Sequence, residues 1–351
     1  MRSAVLAVPG RLDTRTGGSI YDRRMAEGLR LHGWTIDVLE LDDSFPRPTR
    51  VALADAARRL RAIAAGTIVM VDGLALSAMP DLIVCEARRL RLAAIVHLPL
   101  AANVALDDDA IAEVERDEQI ALGAVERVIV TGRATLPLLE KYALPPDRIV
   151  VVEPGTDPAS RARGSDGSSL ELLSVATLGP GKGHDILLTA LAAVPCRDWR
   201  LVCAGSLTRH PATAEKVRGL AARLNLADRV VLAGDLDTSA LDTCYERADL
   251  FVLATRQETY GMAVAEALAR GLPVVSTRTG AIPDLVGDHA GVLVPVGDSA
   301  AFTAALARIL GDDDLRQRLR AGARRVRDRL PTWHQASARL SSALETLGAH
   351  G

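Results

Sequence analysis

Aromatic side chains are scarce in this chain, with three Trp, four Tyr and three Phe among 351 residues. Its cores must therefore be built from Ala, Val and Leu. Long apolar runs are absent: none reaches the ~18 residues of a membrane span, so no transmembrane segment is expected. The apolar stretch Ser3–Val8 stops at Pro9-Gly10 without a following small-residue cleavage site, and reads as a first β-strand rather than a signal peptide. Cysteine is rare and unpaired in spacing. Cys85, Cys196, Cys203 and Cys244 form no Cys-x-x-Cys and have no His at metal-ligand spacing, which points to buried free thiols in a reducing cytoplasm. Neither sign of charge dominates, with 42 Lys+Arg against 44 Asp+Glu. Residues 1–165 hold 21 basic and 23 acidic side chains, and residues 166–351 hold 21 of each. Neither half has the basic excess of a nucleic-acid footprint. A hydrophobic share of 48% with 25% charged residues excludes disorder.

What is present is a repeated alternation. Short apolar runs at 4–8, 35–41, 67–72, 92–97, 127–131 and 148–152 read as strands, with helical periods at 19–31, 49–64, 107–122 and 135–142 between them. The pattern recurs with strands at 171–176, 199–204, 229–233, 250–254, 273–276 and 291–294. Helices are expected at 185–193, 213–224, 238–247, 262–269, 299–310 and 314–329. Strands separated by helices imply right-handed βαβ units and parallel sheets. The polar stretch Arg161–Ser169 reads as the linker. The expectation is α/β: two doubly wound Rossmann-like domains at 1–165 and 166–330, a returning C-terminal helix at 331–351, and ligands bound in an interdomain cleft.

Three segments offer chemistry. Gly10–Gly18 precedes a helix with Gly17-Gly18 at its end, and reads either as an anion cradle or as a tight turn. It matches neither G-x-G-x-x-G nor a P-loop. Leu178-Gly-Pro-Gly-Lys-Gly-His184 sets Lys182 between glycines before a helix, either as a phosphate cradle or as a solvated turn. The third segment runs from Ala254 to Val275. There Glu258 precedes Tyr260-Gly261-Met262, Glu266 lies within an apolar helix, and Gly271 ends it. The helix-start amides suit a diphosphate, and carboxylates accept sugar hydroxyls. Glu266, flanked by Val264, Ala265, Ala267 and Leu268, calls for a ligand or a buried partner. As a bland alternative, Glu258 serves as a helix-cap partner.

The spacing of Glu258 and Glu266, with Tyr260-Gly261 between and Gly271-x-Pro273-Val274-Val275 after, resembles the E-x7-E pattern of retaining family-4 glycosyltransferases of the GT-B fold. Nearly the whole chain takes part. Gly17-Gly18 is similar to the family's N-terminal glycine loop, His97 in His97-Leu-Pro to its active-site histidine, and Lys182-Gly183 to its diphosphate-binding pair. Thr131–Thr135 and Val152–Thr156 resemble later strand ends, and Gly205 and the turn Gly234-Asp235-Leu236 places where sugar or base is held. The resemblance implies that His97 and Glu258 flank the donor sugar. Lys182 and the Tyr260–Met262 amides hold the diphosphate, Glu266 the ribose, and the backbone near Leu236 the base. One departure stands out: Ala176-Thr177-Leu178 replaces the family's Gly-Arg-Leu, with Arg15, Arg133 and Arg256 as substitute cations.

The implied activity is hexose transfer from a nucleoside-diphosphate sugar, of the UDP-glucose or GDP-mannose type, to an acceptor hydroxyl with retention. The acceptor is a small molecule, a glycan or a lipid-linked compound. No cofactor is expected beyond the donor substrate, and no metal. Asp107–Asp109 reads as a charged helix start rather than a metal motif. Two other readings stand beside this one: a GT-B protein that binds sugar nucleotides without turnover, and an epimerase or hydrolase on the same fold. Arg316–Arg329, with seven arginines in fourteen residues, reads as a solvated amphipathic helix over Leu315, Leu319, Val326 and Leu330. Peripheral contact with an anionic membrane is the other use of such a helix, and Arg47–Arg61 is similarly basic.

Overall fold

The computed structural model describes residues 2–102, 108–167 and 169–348. In chain order the first elements are β1 (Arg2–Pro9), α1 (Gly17–Leu31), β2 (Trp34–Leu41), α2 (Arg50–Arg61), β3 (Ile68–Asp72), α3 (Gly73–Ser77), α4 (Pro80–Glu86) and β4 (Arg91–Val96). They are followed by α5 (Asp108–Ala124), β5 (Arg127–Val130), α6 (Leu136–Leu139), β6 (Ile149–Val151), β7 (Leu170–Val175), α7 (His184–Ala193), β8 (Trp199–Ala204), α8 (Pro211–Arg223) and β9 (Val230–Gly234). Then come α9 (Thr238–Arg247), β10 (Leu250–Leu253), α10 (Met262–Ala269), β11 (Val274–Thr277), α11 (Ile282–Val286) and β12 (Gly291–Val294). The chain closes with α12 (Ser299–Gly311), α13 (Asp313–Arg327) and α14 (Trp333–Gly348). Asp107, in the acidic run Asp107–Asp109, lies outside the described residues.

The chain divides into two units, residues 1–155 with 331–351 and residues 156–330. Unit 1 holds a six-stranded sheet ordered β2-β1-β3-β4-β5-β6, all parallel. β3 is buried along its whole length, as befits a strand covered on both faces. The chain winds from β1 to β2 on one side and returns to β3 on the other. The sheet therefore has its topological switch between β1 and β3, where crevices for ligands form at the carboxyl ends. α14 completes this unit. Ala336, Leu340, Leu344 and Leu347 join the core of α1, β1 and β2, and Trp34 Nε1 donates to Ser341 Oγ at 2.9 Å.

Unit 2 repeats the design with strand order β12-β11-β10-β7-β8-β9. Its switch lies between β7 and β10, so the loops after these two strands share one end of the sheet. The expected α/β, doubly wound architecture is what the chain adopts. The boundary differs, because the polar stretch 161–169 is no free linker. Ala162 N donates to Arg270 O (2.9 Å), Arg163 N to Glu246 O (2.8 Å), and Ser165 N to both Asp249 carboxylate oxygens (3.3 Å). These bonds bind the stretch to unit 2, and the division falls at Gly155/Thr156.

The arginine-rich run is also less solvated than its composition implies. Arg316 donates to the carbonyls of Ile309 (2.8 Å) and Leu310 (2.9 Å), Arg320 to Asp249 (3.2 Å), and Arg327 to Ala159 O (2.7 Å). Leu315 and Leu319 face inward as expected. The four cysteines are free, but only Cys203 is buried and Cys85 is exposed, contrary to the expectation of buried thiols throughout. Among the described residues, no helix is long and apolar enough to cross a membrane.

Candidate active site

In unit 2 the chemistry gathers at the switch point. The loop after β7 carries Lys182 and the loop after β10 carries Glu258, and Lys182 Nζ donates to Glu258 Oε2 at 2.7 Å. The lysine side chain is 32% exposed and the glutamate 17%, so the pair is partly desolvated. Each loop runs into a helix that begins without a side-chain cap, α7 after Gly183 and α10 after Gly261. Thr16, Thr49, Asp237, Asp298 and Asp312 cap α1, α2, α9, α12 and α13 with their side chains, whereas α4, α6, α8 and α11 also begin without such a cap. Two uncapped amide ends beside one lysine make a local positive field suited to an anion. His184, at the first turn of α7, is buried. Burial, with help from Lys182, pushes its pKa down to about 4, so it is neutral at pH 7.

Glycines let these segments meet. Gly261 has φ +95, which favours glycine, and Gly183 (φ +65) lies so close to Ala254 O that a side chain would collide with it. Gly280 does the same against Glu258 O, and Ala281 N donates to Thr259 O at 3.0 Å. Gly205 abuts Ala176 O, so packing alone requires a glycine there. Leu236 lies between β9 and α9, half-buried.

Glu266 finds its buried partner inside the protein. Tyr245 Oη donates to Glu266 Oε2 at 2.9 Å, and Arg270 stacks 4.2 Å over the Tyr245 ring while pairing with Asp242. Burial raises the Glu266 pKa, opposed by the Tyr245 hydrogen bond and by Arg270. Of the substitute cations, Arg256 is engaged by Asp185 at 3.0 and 2.7 Å and by Pro180 O at 3.0 Å. Arg15 and Arg133 belong to unit 1.

Unit 1 has its own cluster at the carboxyl ends of β1, β3 and β4. His97 follows β4, Asp72 ends β3, and Asp22 lies on α1. His97 Nε2 stands 3.2 Å from Asp22 Oδ1 and 3.3 Å from Asp72 Oδ2. Asp72 Oδ1 also accepts from Leu74 N at 2.7 Å, capping α3. Burial would lower the His97 pKa, but the two carboxylates outweigh it and raise it to about 10. Burial lifts Asp22 to about 6, against the pull of His97. Gly17 and Gly18 form the first turn of α1 rather than the loop expected before it. A Cβ on Gly18 would lie 3.2 Å from His97 Cδ2, whereas Gly17 has open space. The glycine needed at 18 is thus explained by the imidazole. Asp22 and Asp72 escaped the sequence reading. Their signal was a carboxylate closing the apolar run of β3, and another three residues before Met25 on the buried stripe of α1.

Residues 156–326 match the family "Glycosyl transferases group 1". A D-inositol 3-phosphate glycosyltransferase of Corynebacterium glutamicum is 31% identical over 245 residues, covering 64% of this chain and 58% of the relative. One from Thermomonospora curvata is 33% identical over 231 residues, covering 59% and 54%. The chain thus spans a little over half the length of these relatives. Among solved structures, sucrose-phosphate synthase from Thermosynechococcus elongatus has a TM-score of 0.82 at 20% identity, covering 99% of this chain and 100% of that one. Anabaena HepE in complex with UDP and glucose has a TM-score of 0.78 at 15% identity, covering 98% and 100%. The chain thus has the fold of its GT-B neighbours, and within unit 2 residues 156–326 are similar to the glycosyl transferases of group 1.

Proposed function

We propose that the chain is a retaining, metal-independent glycosyltransferase of the cytoplasm, moving a hexose from a nucleoside-diphosphate sugar to an acceptor hydroxyl. The observation that carries this reading is the Lys182–Glu258 pair between two uncapped helix starts at the switch point of unit 2. Lys182 and the amides of Tyr260–Met262 would hold the diphosphate, Glu258 the sugar, Glu266 the ribose, and the backbone at Gly205 and Leu236 the rest of the nucleoside. In unit 1, His97, with Gly18 against its ring, would be the second catalytic residue, and Gly17 and Gly18 would serve the substrate. The UDP seen with HepE puts UDP-sugars first among donors, and the D-inositol 3-phosphate glycosyltransferases among the chain's relatives favour a polyol or phosphorylated polyol acceptor.

In the reaction the bond from sugar C1 to the diphosphate oxygen breaks, and its electron pair leaves with the diphosphate. The acceptor oxygen forms its bond to C1 on the same face, and its proton passes to the departing phosphate oxygen. Charge grows on the leaving group, so groups fixed around it contribute most, each worth about 3–4 kcal/mol. Lys182→Ala and Glu258→Ala are each expected to slow transfer by about 100-fold or more without altering unfolding. Full activity in both variants would sink the assignment.

Incubation with UDP-glucose and GDP-mannose separates the rivals. Sugar release without acceptor marks a hydrolase, and donor binding without any product marks a binding module. Asp22, Asp72 and His97 offer ligand-type atoms within 4.8 Å of one another. A chelator is therefore the direct check on metal independence, and turnover is expected to survive it.

A further inference from the structure

Lys182 and Glu258 stand on different loops, and contacts that involve neither side chain fix those loops together. Arg256 N donates to Gly181 O at 2.7 Å, and Thr255 Oγ1 reaches the same carbonyl at 3.2 Å. The Arg256 guanidinium bonds Pro180 O and grips Asp185 with two prongs. Gly183 lies against Ala254 O. The backbone therefore holds the two loops side by side, and the two charged side chains meet across them at 2.7 Å.

Under the proposed reading the two side chains have separate duties, Lys182 toward the diphosphate and Glu258 toward sugar hydroxyls. While they are paired, each is occupied by the other. A diphosphate brings more negative charge than one carboxylate and also meets the amide ends of α7 and α10, so it is the stronger partner for the lysine.

We infer that Lys182 and Glu258 form an exchange pair, in which the donor's diphosphate takes Lys182 and thereby frees the Glu258 carboxylate to accept the sugar's hydroxyls. The inference rests on the reading of this site as a donor site. Glu258 is then a competitor of the diphosphate as well as a ligand of the sugar. Removing its charge has opposite effects on two ligands: a nucleoside diphosphate without sugar binds more tightly, while transfer from the intact donor falls. A Glu258 that only touched the sugar would leave nucleoside-diphosphate binding unchanged.

The test is calorimetric titration of UDP and GDP into the full chain as wild type, Glu258→Gln, Glu258→Ala, Lys182→Gln and the Glu258→Gln/Lys182→Gln double variant. Glu258→Gln and Glu258→Ala are expected to bind the nucleoside diphosphate about ten-fold more tightly than wild type, the size of a close, partly desolvated charge pair. In the Lys182→Gln background most of that gain is expected to vanish. Unchanged or weaker binding in both Glu258 variants, with wild-type binding intact, overturns the exchange and leaves the donor site standing. If neither nucleotide binds wild type, the donor-site reading itself falls.

Discussion

His97 Nε2 lies 3.2 Å from Asp22 Oδ1, a pairing between α1 and the end of β4 that no local motif announces. Asp22 is 1% exposed, so this carboxylate serves the histidine rather than solvent. Asp22→Asn keeps the shape and removes the charge. It is expected to lower kcat about 10–100-fold while moving the donor KM less, because the imidazole loses its orientation and not its place. Steady-state kinetics over a donor series decide this, and an unchanged kcat would make the pair purely structural.

The same cluster sets a pH dependence of stability. The folded chain holds the His97 proton up to about pH 10, whereas an unfolded histidine releases it near its ordinary pKa of about 6.5. The stabilisation is therefore complete below the unfolded pKa and is lost as pH rises through about 10. Wild type is expected to lose its advantage over His97→Gln steadily between pH 7 and 10 in urea unfolding. A gap that stays constant over that range would mean an uncharged ring. Asp22, raised to about 6, adds stability when the pH falls through that value, since the folded carboxyl holds its proton more tightly than the unfolded one.

Gly17 and Gly18 are adjacent but not equivalent. A methyl group at 18 presses on the His97 ring, and one at 17 meets nothing within 4 Å. Gly18→Ala is expected to cut transfer at least about ten-fold by displacing the imidazole. Gly17→Ala should retain the fold and gain up to about 1 kcal/mol from helix propensity. Equal activity in the two variants would contradict the close approach at Gly18.

Tyr245 positions Glu266 and, under the proposed function, the ribose. Tyr245→Phe removes the 2.9 Å hydrogen bond and one of the influences that hold the Glu266 carboxyl down. The donor KM is expected to rise several-fold at nearly constant kcat, with weaker discrimination against a 2′-deoxyribonucleotide donor. A fall in kcat alone would argue for a different role.

The sequence revealed most of the scaffold. Every strand-like run formed a strand, because each is a short, apolar, β-branched segment bounded by turn residues. The short helices Gly73–Ser77, Pro80–Glu86 and Ile282–Val286 went unread, since five to seven residues hold too little period to recognise. The polar stretch 161–169 misled for another reason: its composition is that of a linker, yet Asp249, Glu246 and Arg270 gather its amides onto unit 2. Lys182 and Glu258 were legible through motif spacing. Asp22 and Asp72 were not, because their meeting with His97 is made only by the order of strands β1, β3 and β4.

The helix α14 has a consequence for how the molecule is made. Unit 2 is one continuous stretch of chain, free to fold as soon as it has left the ribosome. Unit 1 is translated first yet stays unfinished, since Leu340, Leu344 and Leu347 must still arrive to cover Leu29 and Trp34. During synthesis its apolar face waits through the whole of unit 2. Unit 1 thus matures last, and it is the half for which chaperone protection matters more.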